Sequence, residues 1–412
     1  MRSSALRVLI TCRELARRGG TQLYTRDLAE VLRGMGHSPV VFSPRLGEVG
    51  EELRGRGVAV IDSLDRLGEP PDVIHGQHHL EAMTAMLRFP TVPALFVCHG
   101  WLPWEEAPPR FPSLLFYVAV DSLRRDRLVL EHGVSESRVA VIPNFVDLDR
   151  FRPRPPLPPR PRRAVLLSNQ AAAHTFLPVV ERICAEAGME LSVAGFAAGR
   201  PVARPEELLA SADLVFARGR TALEAMAVGA AVILCDVEGC GPLVDSGNFA
   251  ALRDLNFGMG ALTPPVDPER LRAEIARYDP EEAARVRDRV RREAGRTEAV
   301  ARLVDLYREL VDAVPGLAGE EYAAECLEAA SRYVDWIGPR LDAAGAGLAT
   351  TEARLKATEA RLATTEARLE DTAAALNALE RSPFSRLRKR LLGLRPLVTA
   401  WRAFKGVKGQ GT

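Results

Sequence analysis

The sequence has no hydrophobic run long enough to span a lipid bilayer. A transmembrane helix needs about 20 consecutive apolar residues, whereas the longest apolar stretch, around Ala225–Cys235, is interrupted by Gly229. The first apolar run, Arg7–Thr11, is too short for the core of a secretory signal. We therefore expect a cytoplasmic protein without a membrane-spanning segment.

Cysteine is scarce, and no two cysteines are separated by only two residues. The chain holds six, and this spacing excludes the CxxC pairs of many zinc and redox sites. Cys98 and Cys235 end apolar runs, where a thiol behaves as a small hydrophobic side chain. The cysteines are therefore expected to be reduced residues of the core.

The chain also lacks an excess of charge of either sign, because its net charge is only +1. Nothing in this balance favours a nucleic-acid partner. The distribution is uneven, however. Nine basic and no acidic residues lie between Arg381 and Thr412, which leaves 46 basic against 54 acidic residues, a net charge of −8, over residues 1–380. Such asymmetry indicates an interaction tail.

The tail, residues 382–412, combines its basic residues with apolar residues at alternating steps of three and four. This pattern is typical of a helix that lies on a membrane surface, although Pro396 interrupts it. We expect peripheral binding to an anionic membrane, at its inner face. Docking on the acidic body of the same protein remains the alternative. The apolar positions are Phe384, Leu387, Leu391, Leu394, Val398 and Trp401.

Residues 1–151 and 164–316 each alternate short apolar runs with helical patterns. This alternation predicts two α/β domains with doubly wound parallel sheets, which face each other across a cleft. Residues 152–163 contain six prolines and predict a stiff, extended linker. Among the predicted helices of the second domain is a single continuous one over Glu281–Leu310. The predicted strands are Arg7–Thr11, Val40–Ser43, Val58–Ile61, Val73–His75, Ala94–Cys98, Phe116–Val120, Val139–Ile142, Ala164–Ser168, Glu190–Ala194, Asp213–Ala217 and Ala231–Cys235.

Residues 317–381 are alanine-rich and carry a strict heptad repeat. The motif TEARL recurs at Thr351, Thr358 and Thr365, with Glu and Arg at positions that pair between the chains of a parallel coiled coil. We expect a homo-oligomer, preferably a dimer, although threonine at the second core position weakens the seam. A single solvated helix is the alternative. The leucines of the repeat are Leu341, Leu348, Leu355, Leu362, Leu369 and Leu376.

The strongest local signal for chemistry lies at residues 218–233, which read as a strand end, a glycine turn, a helix and the next strand. The free amides at Gly219–Thr221 form an anion site suited to a diphosphate, strengthened by the helix dipole. Glu224 lies one turn further along an apolar helix, where ribose hydroxyls would satisfy its carboxylate. A glutamate favoured by the helix dipole alone is the other interpretation.

The same residues resemble the family 4-like glycosyltransferases with the GT-B fold. Their motif LEAMAxGxPVI is similar to residues 223–233, and IPNGVDxxRF is similar to Ile142–Phe151. Gly19-Gly20 matches an N-terminal glycine pair, and Asp72–His75 reads DVIH as in the family. The resemblance covers residues 6 to about 312.

The resemblance implies a transferase that retains anomeric configuration, uses a nucleotide-sugar donor and needs no metal or other cofactor. Glu224 corresponds to the glutamate that binds the donor ribose. His99 corresponds to the histidine that faces the donor sugar, and it is the candidate catalytic residue, with a capping or core histidine as the alternative. The remaining candidate donor-binding residues are Gly19, Gly20, Ser168, Asn169, Arg218, Gly219, Arg220 and Thr221.

Two departures from the family pattern concern the donor site. Phe216 stands where the family has a second glutamate, and residues 168–174 contain no Arg or Lys for the diphosphate. Arg218 and Arg220 could supply that charge. Asp147-Leu-Asp149 resembles a metal-binding DxD, but it lies inside the family motif at residues 142–151, where the resemblance implies a structural role. His75, His78 and His79 resemble a zinc cluster but lack a second set of ligands, so no metal site is predicted.

The sequence thus predicts a hexosyltransferase that acts on a glycan, lipid or protein acceptor of the cell envelope. The alternative is a GT-B scaffold that has lost catalysis and oligomerises through its coiled coil.

Overall fold

The computed structural model describes residues 5–100 and 104–381. The chain divides into two compact units, Met1–Ala330 and Ser331–Thr412. The basic tail of residues 382–412 lies outside the described residues, so its predicted helix is not part of the structure reported below.

The first sheet has seven parallel strands in the order β3-β2-β1-β4-β5-β6-β7. The strands are β1 Arg7–Thr11, β2 Ser38–Phe42, β3 Ala59–Ile61, β4 Val73–Gly76, β5 Ala94–Cys98, β6 Leu114–Ala119 and β7 Val139–Val141. The helices between them are α1 Gly20–Gly34, α2 Glu48–Gly55, α3 His79–Arg88 and α4 Ser122–Asp126, which continues into a π-helical turn.

The second sheet has five strands in the order β12-β11-β10-β8-β9. They are β8 Arg163–Leu167, β9 Glu190–Ala194, β10 Leu214–Ala217, β11 Ala231–Asp236 and β12 Gly239–Leu243. Its part of the chain contains α5 Leu177–Glu186, α6 Pro205–Ser211, α7 Gly219–Val228, α8 Phe249–Asp254, α9 Pro268–Ala276, α10 Pro280–Glu293 and α11 Arg296–Asp312. The predicted α/β class with parallel sheets is confirmed.

The central strands are largely apolar because helices cover both faces of a parallel sheet. Every residue of β5 and of β11 is buried. Gly229 ends α7 with a left-handed φ of 93°, a conformation that glycine adopts without strain, and the chain then enters β11 directly. The glycine stop predicted between this helix and the next strand is therefore confirmed.

Strand β12 was not predicted from the sequence. It runs antiparallel to β11 at the edge of the second sheet, whereas the other strands of that sheet are parallel. Its segment contains Gly239, Gly241 and Pro242, which are poor strand formers. Proline is tolerated at a sheet edge, where a missing N–H breaks no internal hydrogen bond.

The single helix predicted over Glu281–Leu310 is wrong, because the structure has two helices, α10 and α11. The backbone of Val146 enters the break: its amide donates to the Ala294 carbonyl at 2.9 Å, and its carbonyl accepts from the Arg296 amide at 3.1 Å. Helical periodicity alone does not reveal a break that is stabilised by a segment almost 150 residues away in the chain.

Helix α11 packs in the core of the first sheet, although the sequence assigned its residues to the second domain. Val300, Leu303 and Tyr307 belong to the same buried cluster as residues of β1 and α1. The chain therefore crosses back to the first sheet after α10. The proline-rich segment 152–162 contains no helix or strand, in agreement with an extended connection.

The last helix, α12 Glu320–Arg381, runs for 62 residues and includes Pro339. Five leucines of the heptad repeat are exposed on it: Leu341, Leu348, Leu355, Leu362 and Leu369. No helix in the described ranges is long and apolar enough to cross a membrane. Cys98 and Cys235 are free and buried, as predicted.

Candidate functional site

The carboxyl ends of three neighbouring strands in the second sheet are joined by side-chain hydrogen bonds. Ser168 follows β8, Arg218 follows β10, and Asp236 ends β11. The Ser168 hydroxyl donates to Asp236 Oδ1 at 2.6 Å, and Arg218 Nε donates to Oδ2 at 2.5 Å. Ligands of open α/β sheets bind at this edge, so the predicted donor residues Ser168 and Arg218 lie where a ligand is expected.

Gly195 keeps the end of β9 close to this network. A Cβ on Gly195 would lie 1.9 Å from the Ser168 carbonyl oxygen, so no other residue fits without moving the backbone. Asn169 takes part in the same contact, because its carbonyl oxygen accepts from the Ala197 amide at 3.2 Å. The loops after β8 and β9 thus support each other at the sheet edge.

Helix α7 begins at this edge with Gly219, which has a left-handed φ of 57°. The Gly219 amide donates to the Phe257 carbonyl at 2.7 Å. The amides of Arg220 and Thr221 lie in the first turn, where a helix offers them no internal acceptor. The free Gly219 amide predicted from the sequence is therefore wrong, whereas the amides of Arg220 and Thr221 have no acceptor within the helix.

Glu224 is buried, with 5% of its surface exposed. Its Oε1 accepts a hydrogen bond from Arg220 Nε at 2.8 Å, one helical turn earlier. Burial raises the pKa of the Glu224 carboxyl, and the Arg220 guanidinium only partly opposes this shift. Glu224 is therefore more than a glutamate favoured by the helix dipole, because it is the partner of a buried cation.

Arg220 also forms an ion pair with Asp27, which lies on α1 beside the first sheet. Burial opposes ionisation of Asp27, but the neighbouring Arg220 and Arg26 outweigh it and lower its pKa. Arg26 Nη2 lies 2.7 Å from Asp27 Oδ1. Four alternating charges, Glu224, Arg220, Asp27 and Arg26, therefore connect α7 with α1.

His99 follows β5 in the first sheet and is held by Gln77. His99 Nε2 lies 2.8 Å from Gln77 Oε1, while Gln77 Nε2 donates to the Thr25 hydroxyl at 3.1 Å. The oxygen of Gln77 can only accept, so Nε2 of His99 carries the proton and Nδ1 is an acceptor. Burial lowers the pKa of His99 well below 6.5, and the imidazole is therefore neutral at pH 7.

The three histidines of residues 75–79 have separate partners and do not converge. His75 Nδ1 lies 2.6 Å from the Tyr307 hydroxyl, His78 Nδ1 accepts from the Arg13 amide, and His79 Nδ1 lies 2.8 Å from the Ala107 carbonyl. Within residues 5–100 and 104–381, no group of three or more His, Cys, Asp or Glu side chains is arranged to hold a metal ion.

The first acid of the DxD pattern, Asp147, binds neighbouring groups of the protein. Asp147 accepts hydrogen bonds from the amides of Asp149 and Arg150 at 3.1 and 3.2 Å. Its other oxygen pairs with Arg296 at 2.9 Å, at the start of α11. Asp147 thus stabilises the turn that leads out of the first domain.

The glycine pair lies at the start of α1, with Gly19 as the N-cap and Gly20 as the first residue. A Cβ on Gly19 would lie 2.3 Å from the Gln22 Oε1 atom, whereas a Cβ on Gly20 would meet no protein atom within 4 Å. The space beside Gly20 is therefore open, as the close approach of a ligand requires.

Comparison with known proteins gives a family match for part of the chain. Residues 18–150 match the sequence profile of Glycosyltransferase Family 4. The match lies within the part of the chain that forms the first sheet and its helices. The resemblance stated from the sequence motifs is thereby confirmed. No curated protein matches the chain.

Solved structures show the GT-B fold. A glycosyltransferase from Rickettsia africae ESF-5 is 15% identical, with a TM-score of 0.55, and the similarity covers 75% of this chain and 99% of that one. HepE from Anabaena, solved with UDP and glucose, is 14% identical with a TM-score of 0.51, and covers 74% of this chain and 100% of its own. At these identities the likeness concerns the fold alone.

Sequence reasoning noted Phe216 as a departure but missed two acids of the candidate site. Phe216, at the position of the family's second glutamate, is completely buried in the core of the second sheet. Asp27 and Asp236 were not recognised as site residues, although signals existed. Asp236 follows an apolar strand directly, and Asp27 lies on a helix face that is otherwise buried.

Proposed function

We propose that the chain is a nucleotide-sugar-dependent hexosyltransferase whose donor binds at the carboxyl edge of the second sheet. One observation carries the proposal. Ser168, Arg218 and Asp236 are joined at the ends of three adjacent parallel strands, next to the first turn of α7 and to Glu224. This arrangement offers amides for a diphosphate and a carboxylate for a ribose within one helical turn.

The donor is assigned to the following groups. The amides of Arg220 and Thr221 bind the diphosphate, with charge from Arg218. Glu224 Oε2, which makes no hydrogen bond within the described residues, accepts from a ribose hydroxyl. The neutral His99 faces the sugar across the cleft, and its Nδ1 accepts from a sugar hydroxyl. The UDP and glucose present in the HepE structure are consistent with this class of donor.

The acceptor and the stereochemistry are assigned from the sequence alone. We assign a glycan, lipid or protein acceptor of the cell envelope, because residues 382–412 have the composition of a membrane-surface segment. The reaction then takes place at the cytoplasmic face of the membrane. Retention of configuration without a metal follows from the family resemblance.

Helix α12 supplies the interface of a homodimer in this proposal. Its five exposed leucines recur every seven residues, and Glu and Arg lie at the flanking positions. In a parallel pair of helices the leucines bury each other and the opposite charges meet across the seam.

Calorimetric titration with UDP, GDP and dTDP, followed by transfer assays with the matching sugars, tests the donor assignment. We expect one nucleoside diphosphate to bind. Arg218→Ala should weaken its binding, because this change removes a cation from the ends of β8, β10 and β11. The matched control is Arg182→Ala, which removes an exposed arginine on α5 and should leave affinity unchanged.

The second candidate is a scaffold that keeps the GT-B fold without catalysis. Burial of Phe216 in the core favours it, because that position offers no carboxylate to the sugar. A folded dimer that binds none of the three nucleotides would support the scaffold and contradict the enzyme.

A further inference from the structure

The two arginines that flank the start of α7 already have carboxylate partners. Arg218 pairs with Asp236 at 2.5 Å and with Glu238 at 3.1 Å. Arg220 pairs with Glu224 at 2.8 Å and with Asp27. A diphosphate that approaches the first turn of α7 therefore has to compete with carboxylates for these two guanidinium groups.

The pairs of Arg220 are the more deeply buried. The side chains of Arg220, Glu224 and Asp27 are 9%, 7% and 0% exposed. Nε of Arg220 contacts Glu224, and Nη2 contacts Asp27, while Nη1 makes no hydrogen bond within the described ranges. Arg220 thus connects α7, beside the second sheet, to α1, beside the first.

The two carboxylates differ in what they would lose without Arg220. Asp27 keeps Arg26, whose Nε and Nη2 donate to its Oδ1 at 2.9 and 2.7 Å. Glu224 forms no other ion pair in the described structure. An unpaired buried carboxylate is costly, so Arg220 can leave Asp27 more easily than it can leave Glu224.

We propose that Asp27 is a positioning residue of the donor site, which holds Arg220 until the donor diphosphate takes its place. This inference rests on the proposed function. On binding, Nη2 and Nη1 turn towards the phosphates while Nε stays on Glu224. Glu224 then contacts both the guanidinium and the ribose.

Donor binding and the contact between α1 and α7 weaken each other in this arrangement, because thermodynamic linkage is reciprocal. The arrangement also accounts for the missing basic residues after β8. The cation that the family places there is replaced by Arg220, which comes from α7 and is restrained by Asp27 from the first domain.

The test is the binding of nucleosides and nucleoside diphosphates to full-length wild type and to Asp27→Asn. Asparagine keeps the shape of the side chain and can still accept from Arg26, but it no longer holds Arg220 by charge. We expect the nucleoside diphosphate that binds wild type to bind Asp27→Asn about tenfold more tightly, equivalent to about 1.4 kcal/mol. The corresponding nucleoside should bind both proteins equally.

The comparison of diphosphate with nucleoside affinity distinguishes a positioning role of Asp27 from a structural one. If Asp27 only stabilises the fold, the substitution changes both affinities or neither. Affinity for the diphosphate that is unchanged or lower in Asp27→Asn would overturn the inference. The matched control is Asp305→Asn, an exposed aspartate on α11, which should alter neither affinity.

Two further measurements keep the role of Asp27 testable if the first result has another explanation or the variant does not fold. In an Arg220→Ala background, Asp27→Asn should have no effect on diphosphate affinity, since the two residues act through one contact. If Asp27→Asn does not fold, hydrogen exchange of the wild type replaces it: the diphosphate, but not the nucleoside, should reduce the protection of α1. Unchanged protection would contradict the inference.

Failure of this inference differs from failure of the proposed function. If wild type binds a nucleoside diphosphate and Asp27→Asn gains nothing, only the role of Asp27 is refuted. If no variant binds any nucleoside diphosphate, the donor site itself is refuted, and the role of Asp27 with it.

Discussion

Replacement of Glu224 by alanine should weaken donor binding and lower stability only moderately, and the structure gives the size of both effects. The change removes one charge-assisted hydrogen bond from Arg220, and such bonds contribute about 1.5–3 kcal/mol. Arg220 keeps its ion pair with Asp27, so the substitution leaves no isolated buried cation. We therefore expect the free energy of unfolding to fall by no more than about 3 kcal/mol.

The relevant comparison is Arg220→Ala, which removes the cation instead of the acid. Glu224 then stays buried with no other ion-pair partner in the described part of the chain. Removing one partner of a buried pair costs about 3–5 kcal/mol. Arg220→Ala should therefore destabilise the protein more than Glu224→Ala does.

Donor affinity should also fall in Glu224→Ala. A ribose bound by the carboxylate uses charge-assisted hydrogen bonds, and their loss should raise the dissociation constant of the nucleoside diphosphate at least about tenfold. Calorimetric titration beside urea unfolding of wild type, Glu224→Ala and Arg220→Ala measures both quantities.

The pH dependence of stability gives an independent check. Because burial raises the pKa of Glu224 above its ordinary 4.5, the folded protein keeps this proton at a pH where the unfolded chain has lost it. Wild-type stability relative to Glu224→Gln should therefore fall as pH rises from about 4.5 through the raised pKa. Unchanged nucleotide affinity together with a collapse of stability in Glu224→Ala would refute the donor role of this residue.

Three further predictions concern the first sheet, α12 and the tail. His99→Ala should abolish sugar transfer while nucleotide affinity is kept, and loss of nucleotide binding would contradict the assignment. The wild-type rate should show no His99 titration near pH 6.5, because burial holds the pKa of His99 well below that value. Light scattering should give a dimer for the full chain and a monomer for residues 1–340, whereas equal monomeric masses would exclude the coiled coil. The full chain should sediment with anionic vesicles at low salt and a chain ending at residue 380 should not, since each basic residue near such a surface contributes about 1 kcal/mol. If both chains stay in the supernatant, the tail binds another partner.

Much of the fold follows from local patterns in the sequence. The strand bounds of β1, β5 and β9 are predicted residue for residue, because short runs rich in apolar residues between turn or loop segments are a local signal. The helix α7 and its glycine stop are equally local, since they depend on a first-turn glycine and on Gly229. Family motifs lie in these same segments, which is why the family was recognisable.

The contacts of the site were decided by the tertiary structure. Sequence reasoning places Glu224 on α7, but its raised pKa comes from burial, which its partner Arg220 only partly opposes. Arg220 in turn pairs with Asp27, which lies 193 residues away along the chain. The neutrality of His99 likewise depends on its burial, and its tautomer depends on the contact with Gln77. The charge state of a buried side chain depends on which carboxylates and cations the fold brings together. Contacts between residues this far apart in the chain produce no periodic pattern in the sequence.

The same reason explains the two errors in the fold. Val146 interrupts the helix predicted over Glu281–Leu310, and α11 returns to pack on the first sheet. Both depend on contacts between segments that are far apart in the chain. The sequence by itself determined most of the strands and helices and the family resemblance; only the contact between Arg220 on α7 and Asp27 on α1 decided which charges meet at the candidate donor site.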